Sequence, residues 1–117
     1  MSKEACPLGL SAMEGAQLIV TVFRSRLKPD ASDEYGQWAA RIGELAKAMP
    51  GYISHKVFTA PDGERVTVVE FEREEHVRAW AAHPDHAQAK KRGREAFYRE
   101  YRIQICSVLK ESSFKAS

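Results

Sequence analysis

The residues best suited to chemistry lie in the middle of the chain. The stretch Trp80-Ala-Ala-His-Pro-Asp-His86 brings one of the two tryptophans together with two of the four histidines. A tryptophan can pack against a planar organic molecule, and a histidine can take or give a proton near neutral pH. The same residues can also be structural, with Trp80 anchoring a helix on a sheet and His83 capping it. The segment therefore predicts either a pocket or a packing seam.

Two further groups of residues extend this candidate site. His55 is a lone imidazole on an otherwise apolar strand, where it is either a hydrogen-bonded core group or a second base. Arg94, Tyr98 and Tyr101 recur at i, i+4 and i+7, which on a helix forms one stripe at a pocket mouth or a subunit contact. The basic run 90–92 is expected to face water.

Metal and nucleotide chemistry are not indicated. His83 and His86 have a spacing that can chelate a metal on a helix, but Pro84 falls between them and distorts it, and no Glu-x-x-His motif occurs. There is no glycine-rich phosphate loop, Rossmann fingerprint or nucleophile elbow. We therefore expect no metal and no cofactor.

Composition indicates a small cytoplasmic domain. The 117 residues carry a net charge of +2, with 18 basic residues interleaved among 16 acidic ones, which does not favour nucleic acid as a partner. No apolar run is long enough for a membrane span, and no signal peptide is evident. Cys6 and Cys106 are expected to be free thiols in a reducing compartment.

Hydrophobic periodicity predicts one α+β domain over 17–111, with short tails at 1–16 and 112–117. An apolar stripe from Tyr35 to Met49 predicts a helix, which Asp30 or Ser32 can cap and Pro50-Gly51 ends. Strands are predicted on either side of this helix, and Pro84 and Gly93 are expected to interrupt a second helical region. The predicted strands are 18–27, 52–59, 65–72 and 102–110, and the second helical region is 74–98. The order β-α-β-β-α-β with an antiparallel sheet is ferredoxin-like.

The turn Ala60-Pro-Asp-Gly63 sets which strand residues share a face. Proline presets the first turn position and glycine accepts a positive φ, so a three-residue turn with a bulge is predicted. That register places two sets of residues on one face of the hairpin: Ile53, His55 and Val57 on the first strand, and Thr67, Val69 and Phe71 on the second.

Over residues 18 to 110 the chain resembles the antibiotic biosynthesis monooxygenase family. The resemblance rests on Leu18-Ile-Val-Thr-Val-Phe-Arg24, Met49-Pro-Gly-Tyr-Ile-Ser-His55 and the segment from Val68 to Trp80, and it continues through His83-Pro-Asp-His86 and from Gly93 to Tyr98. It implies a dimeric α/β barrel, in which two ferredoxin-like protomers pair sheet to sheet. Members include cofactor-independent oxygenases of polyketide quinols, quinol monooxygenases and haem-degrading monooxygenases.

The residues that carry catalysis in known members are not present here. Aligning the haem-degrading members places Phe23, Phe71 and Lys90 where they have asparagine, tryptophan and histidine. Lysine must lose its proton to bind haem iron, and phenylalanine offers no hydrogen-bond donor. The polyketide oxygenases use asparagine, tryptophan, tyrosine and arginine at the positions of Thr67, Phe71, Val77 and Lys90.

The leading hypothesis is a homodimeric, cofactor-independent monooxygenase that oxidises a small planar aromatic or quinol-type substrate with dioxygen. His83 or His55 is expected to be the catalytic base, together with Trp80. The residues expected to bind substrate are Phe23, Phe71, Trp80, His86 and Tyr98. The alternatives are a non-catalytic dimeric ligand-binding module and, third, a haem-binding or haem-degrading monooxygenase.

Overall fold

The structure, a computed structural model, describes residues 18–31 and 33–116. The proposed cap Ser32 and the predicted tail 1–16 lie outside these ranges. The elements in chain order are β1 (Ile19–Leu27), α1 (Asp33–Ala48), β2 (Tyr52–Thr59), β3 (Arg65–Phe71), α2 (Glu74–Ala82), α3 (Pro84–Arg92), a π-helical turn (Gly93–Phe97) and β4 (Tyr98–Ser107). The strands form one antiparallel sheet in the order β2-β3-β1-β4. This confirms the predicted ferredoxin-like α+β fold.

The hairpin between β2 and β3 has the predicted turn. The backbone N–H of Gly63 donates to the carbonyl of Ala60 at 2.9 Å, the N–H of Ala60 donates to Glu64 at 2.8 Å, and Gly63 has a φ of 92°. His55 pairs with Val69 and Val57 with Thr67, so these residues share a face of the hairpin as predicted. Ile53 differs from the prediction, because a register shift between Tyr52 and Ser54 places Tyr52 opposite Phe71.

The last strand begins earlier than predicted. β4 starts at Tyr98 instead of residue 102, because the π-helical turn ends the helical region and Tyr98 has an extended backbone that pairs with Leu27. Tyr98 and Tyr101 therefore do not form a helical stripe with Arg94. A register shift between Arg26 and Leu27 acts as a bulge, and the two tyrosine rings each lie 5.5 Å from the ring of Phe23.

The core closes one end of the helix-covered face of the sheet. Phe71 is 0% exposed and clusters with Ile19, Val69 and Val77, while Trp80 packs against this cluster. Cross-strand pairing places Thr21 beside Val69, so that the same sheet face continues away from the core. No helix within 18–31 and 33–116 is long and apolar enough to cross a membrane. Residues 108–116 contain no helix or strand.

Candidate functional site

A cavity of about 290 Å³ separates the sheet from the helices. Its floor is formed by alternate residues of all four strands, including Thr21, Phe23 and Thr67, and its roof by the three helices. The helices stay joined over this space, because the guanidinium of Arg92 on α3 makes two hydrogen bonds of 2.7 and 2.9 Å to the Glu34 carboxylate on α1. Concave, mostly apolar spaces with a few polar groups are typical of small-molecule sites.

Most of the residues that were predicted from the sequence to form the site line this cavity. They are Phe23, His55, Trp80, His86 and Tyr98. These residues lie on three strands, α2 and α3, so the fold brings together residues far apart in the chain. The π-helical turn and β4 add the ring of Tyr98. Burial, followed by the neighbouring Tyr35, raises the pKa of Tyr98 well above its usual range, so its phenol stays protonated.

Phe71 and His83 are corrections, because neither lines the cavity. Phe71 lies in the core beneath Trp80, with ring centroids 5.5 Å apart, because its position on β3 falls under α2. His83 precedes Pro84 at the start of α3, and its Nδ1 accepts a hydrogen bond from the backbone N–H of Asp85 at 3.1 Å. The capping arrangement weighed for His83 is thus the one observed.

Trp80 and His86 form the deepest polar pair of the site. Their ring centroids lie 4.6 Å apart with planes at 76°, an edge-to-face contact. Trp80 Nε1 and His86 Nδ1 are buried and have no hydrogen-bond partner among the described residues. Burial, with a smaller contribution from the charge of Lys90, lowers the pKa of His86 from 6.5 to about 4. His86 is therefore a neutral imidazole at physiological pH.

This shift predicts an acid-sensitive contribution to stability. Because the pKa of His86 is lower in the folded protein than in the unfolded chain, its contribution is fully present above pH 6.5 and is lost as pH falls through about 4. We expect wild type to lose about 2–3 kcal/mol more than His86→Gln between pH 7.5 and 4. Urea unfolding at both pH values measures this difference. Equal losses in the two proteins would show that His86 is not desolvated.

His55 is held between β2 and α1. Its Nδ1 lies 2.8 Å from the hydroxyl of Tyr52, and its ring lines the cavity. If Nδ1–H donates to the tyrosine oxygen, Nε2 keeps its lone pair and can accept a proton. Gly43 on α1 provides the room, because a methyl group there would lie 3.3 Å from His55 Nε2.

Several cavity residues were not predicted from the sequence. Tyr35, Trp38 and Ile42 of the α1 stripe line the cavity, although an apolar stripe predicts only a buried helix face. The glycine at 43 within that stripe was the signal that something packs closely against it. Lys90 also faces the cavity and Arg92 binds Glu34, so of the basic run expected in water only Lys91 is exposed. Within the described ranges, no three His, Cys, Asp or Glu side chains cluster as metal ligands would.

The structure is a ferredoxin-like domain with a cavity between its sheet and helices, and comparison with known proteins gives its family. The family model described as antibiotic biosynthesis monooxygenase matches residues 18–92, which is most of the chain. The chain therefore belongs to the antibiotic biosynthesis monooxygenase family, as its resemblance implied.

One relative in sequence and two solved structures are similar to the chain over most of its length. The uncharacterized protein YqjZ of Bacillus subtilis is 28% identical over 94 residues, covering 80% of this chain and 82% of that protein. The structure of Rv0793 from Mycobacterium tuberculosis superposes with a TM-score of 0.72 at 18% identity, covering 82% of this chain and 99% of that one. SnoaB from Streptomyces nogalater, described as a cofactor-independent oxygenase, gives a TM-score of 0.68 at 16% identity, with 82% and 97% covered. At 16–18% identity, the two superpositions show that the fold is shared and show nothing finer.

Proposed function

We propose that this protein is a monooxygenase that oxidises a small planar phenol or quinol with dioxygen and without a cofactor. The observation that carries the proposal is the cavity itself, whose walls combine two tryptophans with the imidazoles of His55 and His86. Aromatic rings hold a planar substrate by stacking and edge contacts, and an imidazole can accept the proton of its hydroxyl group. The likeness to SnoaB supports the proposal at the level of the fold.

The cavity volume limits the size of the substrate. About 290 Å³ is at the lower end of the range for small-molecule sites, roughly 300–1,000 Å³. One or two fused rings suit such a space better than the three or four rings of a large polyketide. A naphthol is therefore a better trial substrate than an extended polycyclic quinol.

The proposed reaction needs only dioxygen and a base. The base removes the phenolic proton, and the electron-rich carbon para to the oxygen forms a bond to dioxygen, giving a hydroperoxide. Loss of the proton on that carbon, with cleavage of the O–O bond, releases water and leaves a quinone. A phenol with hydrogen at the para carbon and one dioxygen thus give one quinone and one water, the substrate losing the four electrons that dioxygen gains.

We assign the role of the base to His55, with Tyr52 as a positioning residue. The Tyr52 hydroxyl contacts Nδ1, so the tautomer with Nδ1–H leaves Nε2 free to accept a proton. His86 suits the role less well, because an imidazole with a pKa of about 4 is a weak base. Its neutral ring and Trp80 instead form the wall against which the substrate packs.

Oxygen consumption with 1-naphthol tests the function. Wild type is expected to consume dioxygen well above the rate of the phenol alone, and Thr67→Phe, which fills the cavity floor, is expected to lose this activity. His83→Asn retains an N-capping side chain outside the cavity and should stay active. Binding of the phenol without oxygen consumption would replace the proposal by the alternative of a non-catalytic ligand-binding module.

Gly43 provides a sensitive test of the position of His55. Gly43→Ala places a methyl group 3.3 Å from Nε2 of His55, so the ring must move by a few tenths of an ångström. We expect the rate of oxygen consumption to fall by about tenfold, since small misplacements of a catalytic group are costly. Gly36→Ala on the same helix has open space, and it should gain about 0.5–1 kcal/mol of stability with unchanged activity. Equal activity of both variants would place the base elsewhere.

We also propose that two copies pair through the sheet face opposite the helices. Cross-strand pairs place Val22 beside Val68 and Phe58 beside Val66 on that face, and Phe58 is 51% exposed. Burying the apolar side chains of this face favours association. Sedimentation at micromolar concentration is expected to give a dimer for wild type and a monomer for Val22→Lys. A wild-type monomer would contradict this pairing.

A further inference from the structure

The charges that face the cavity have one sign. Arg65 at the end of β3 and Lys90 on α3 both line it, and no aspartate or glutamate side chain does so among the described residues. Neither cation forms an ion pair within residues 18–31 and 33–116. Two unpaired cations beside a mostly apolar cavity attract an anion that enters it more strongly than they would in bulk water. The cavity therefore favours an anionic ligand over a neutral one.

The two cations lie toward the same end of the cavity. The ion pairs Arg41–Asp85 and Arg92–Glu34 align α1 and α3 in opposite directions, so the turn of α3 that carries Lys90 lies beside the turn of α1 that carries Tyr35, on which Arg65 stacks. Arg65 lies four residues from Val69 on β3, and Val69 pairs with His55. At about 3.4 Å per residue, its backbone is about 14 Å along the strand from the level of His55. The site thus has a histidine end, where His55 lies, and a cationic end with Arg65 and the turn of α3 that carries Lys90.

The guanidinium of Arg65 is held in place to meet a ligand. Its Cζ lies 5.5 Å from the centre of the Tyr35 ring, and Tyr35 in turn contacts Tyr98 at 6.0 Å. Stacking on an aromatic face fixes the plane of the guanidinium while leaving its N–H groups available at the edge. A planar fork of this kind matches the two oxygens of a carboxylate.

From this arrangement we infer that the substrate is an aromatic carboxylic acid, with its carboxylate on Arg65 at the cationic end and its oxidisable phenol at the histidine end. The inference rests on the proposed function for the phenol, whereas the carboxylate is argued from the two cations and the absence of acidic side chains around them. The charge of Lys90 adds to the attraction that the carboxylate meets at the cationic end.

Anaerobic isothermal titration calorimetry with a matched pair of probes tests the inference. The probes are 5-hydroxy-2-naphthoic acid and its methyl ester, which share the rings, the phenol and a hydrogen para to it. The acid is expected to bind at least about tenfold more tightly than the ester, with a preference that weakens as salt is raised. Equal binding, preference for the ester, or no binding of either probe would overturn the inference.

Variants assign the preference to the two cations. Arg65→Met is expected to bind the ester as wild type does and to lose the preference for the acid, while Arg65→Lys, which keeps the charge but not the fork, should retain part of it. Lys90→Met should weaken binding of the acid by a smaller factor. Arg99→Met and Lys91→Met change exposed cations outside the cavity and should match wild type. A preference that survives in Arg65→Met overturns the assignment, and ester binding reports whether each variant is folded.

The result separates this inference from the proposed function. Tight, charge-dependent binding of the acid without oxygen consumption in air would uphold the inference and remove the oxygenase proposal. Oxygen consumption with 1-naphthol but no preference for the acid would uphold the oxygenase proposal and overturn the inference.

Discussion

Replacing His55 by glutamine is expected to lower the rate of oxygen consumption with 1-naphthol by about 100- to 1,000-fold, the usual contribution of a general base. Glutamine keeps a polar side chain near the Tyr52 hydroxyl but cannot accept a proton at neutral pH. Because His55 is only half-buried, the free energy of unfolding should change little. An oxygen electrode measures the rate, and urea unfolding measures the stability.

Tyr52→Phe distinguishes a positioned base from a merely structural histidine. Without the tyrosine oxygen 2.8 Å from Nδ1, the Nδ1–H tautomer that we propose for His55 loses its hydrogen-bond partner. We expect kcat to fall with little change in KM, and the acidic limb of the pH–rate profile to move. A His55→Gln enzyme with wild-type activity would remove His55 from the mechanism.

The second large effect is a loss of stability, and its size distinguishes a core residue from a residue of the cavity wall. Phe71→Ala is expected to reduce the free energy of unfolding by about 3–5 kcal/mol, because this ring is 0% exposed and packs against Trp80 and Val77. The loss includes both the transfer of the ring to water and the space that it leaves. Equilibrium urea unfolding measures it.

Phe23→Ala is the matched comparison, because Phe23 lies on the same helix-covered face of the sheet but borders the cavity. Its side chain already faces open space on one side, so we expect a smaller loss of stability and a larger loss of affinity for the phenol. If Phe23→Ala were as destabilising as Phe71→Ala, the space beside Phe23 would be packed core. The cavity would then be absent in solution.

The sequence predicted the elements better than their contacts. The period of the stripe from Tyr35 to Met49, Pro84 between two helical segments and the Pro61-Asp-Gly63 turn each act locally, so the resulting helix, break and hairpin were predictable. The start of β4 was not, since Tyr98 joins the sheet through pairing with Leu27, a residue 71 positions earlier. Long-range pairing of this kind overrode the helical spacing of Arg94, Tyr98 and Tyr101.

The sequence predicts the residue types of the site, but it does not predict which of them are buried in the core and which line the cavity. The sequence does not distinguish His83 from His86. In the structure His83 caps a helix, whereas His86 is desolvated against the indole of Trp80. The hydrophobic periodicity predicts which residues are buried. Whether a buried face meets packed side chains or a cavity depends on the position of the helices relative to the sheet, which the periodicity does not give. For this reason the sequence predicts Phe71 as a substrate-binding residue and does not predict that Arg65 and Lys90 line the cavity.

The central claim is that this cavity converts a phenol and dioxygen into a quinone without a cofactor. The most direct test is a turnover experiment with 1-naphthol and ¹⁸O₂ in buffer that contains a metal chelator. The expected result is one dioxygen consumed per quinone formed, one ¹⁸O atom in the quinone, and loss of the reaction in Thr67→Phe. Oxygen consumption no faster than that of the phenol alone, or hydrogen peroxide formed in the same amount as the dioxygen consumed, would contradict it.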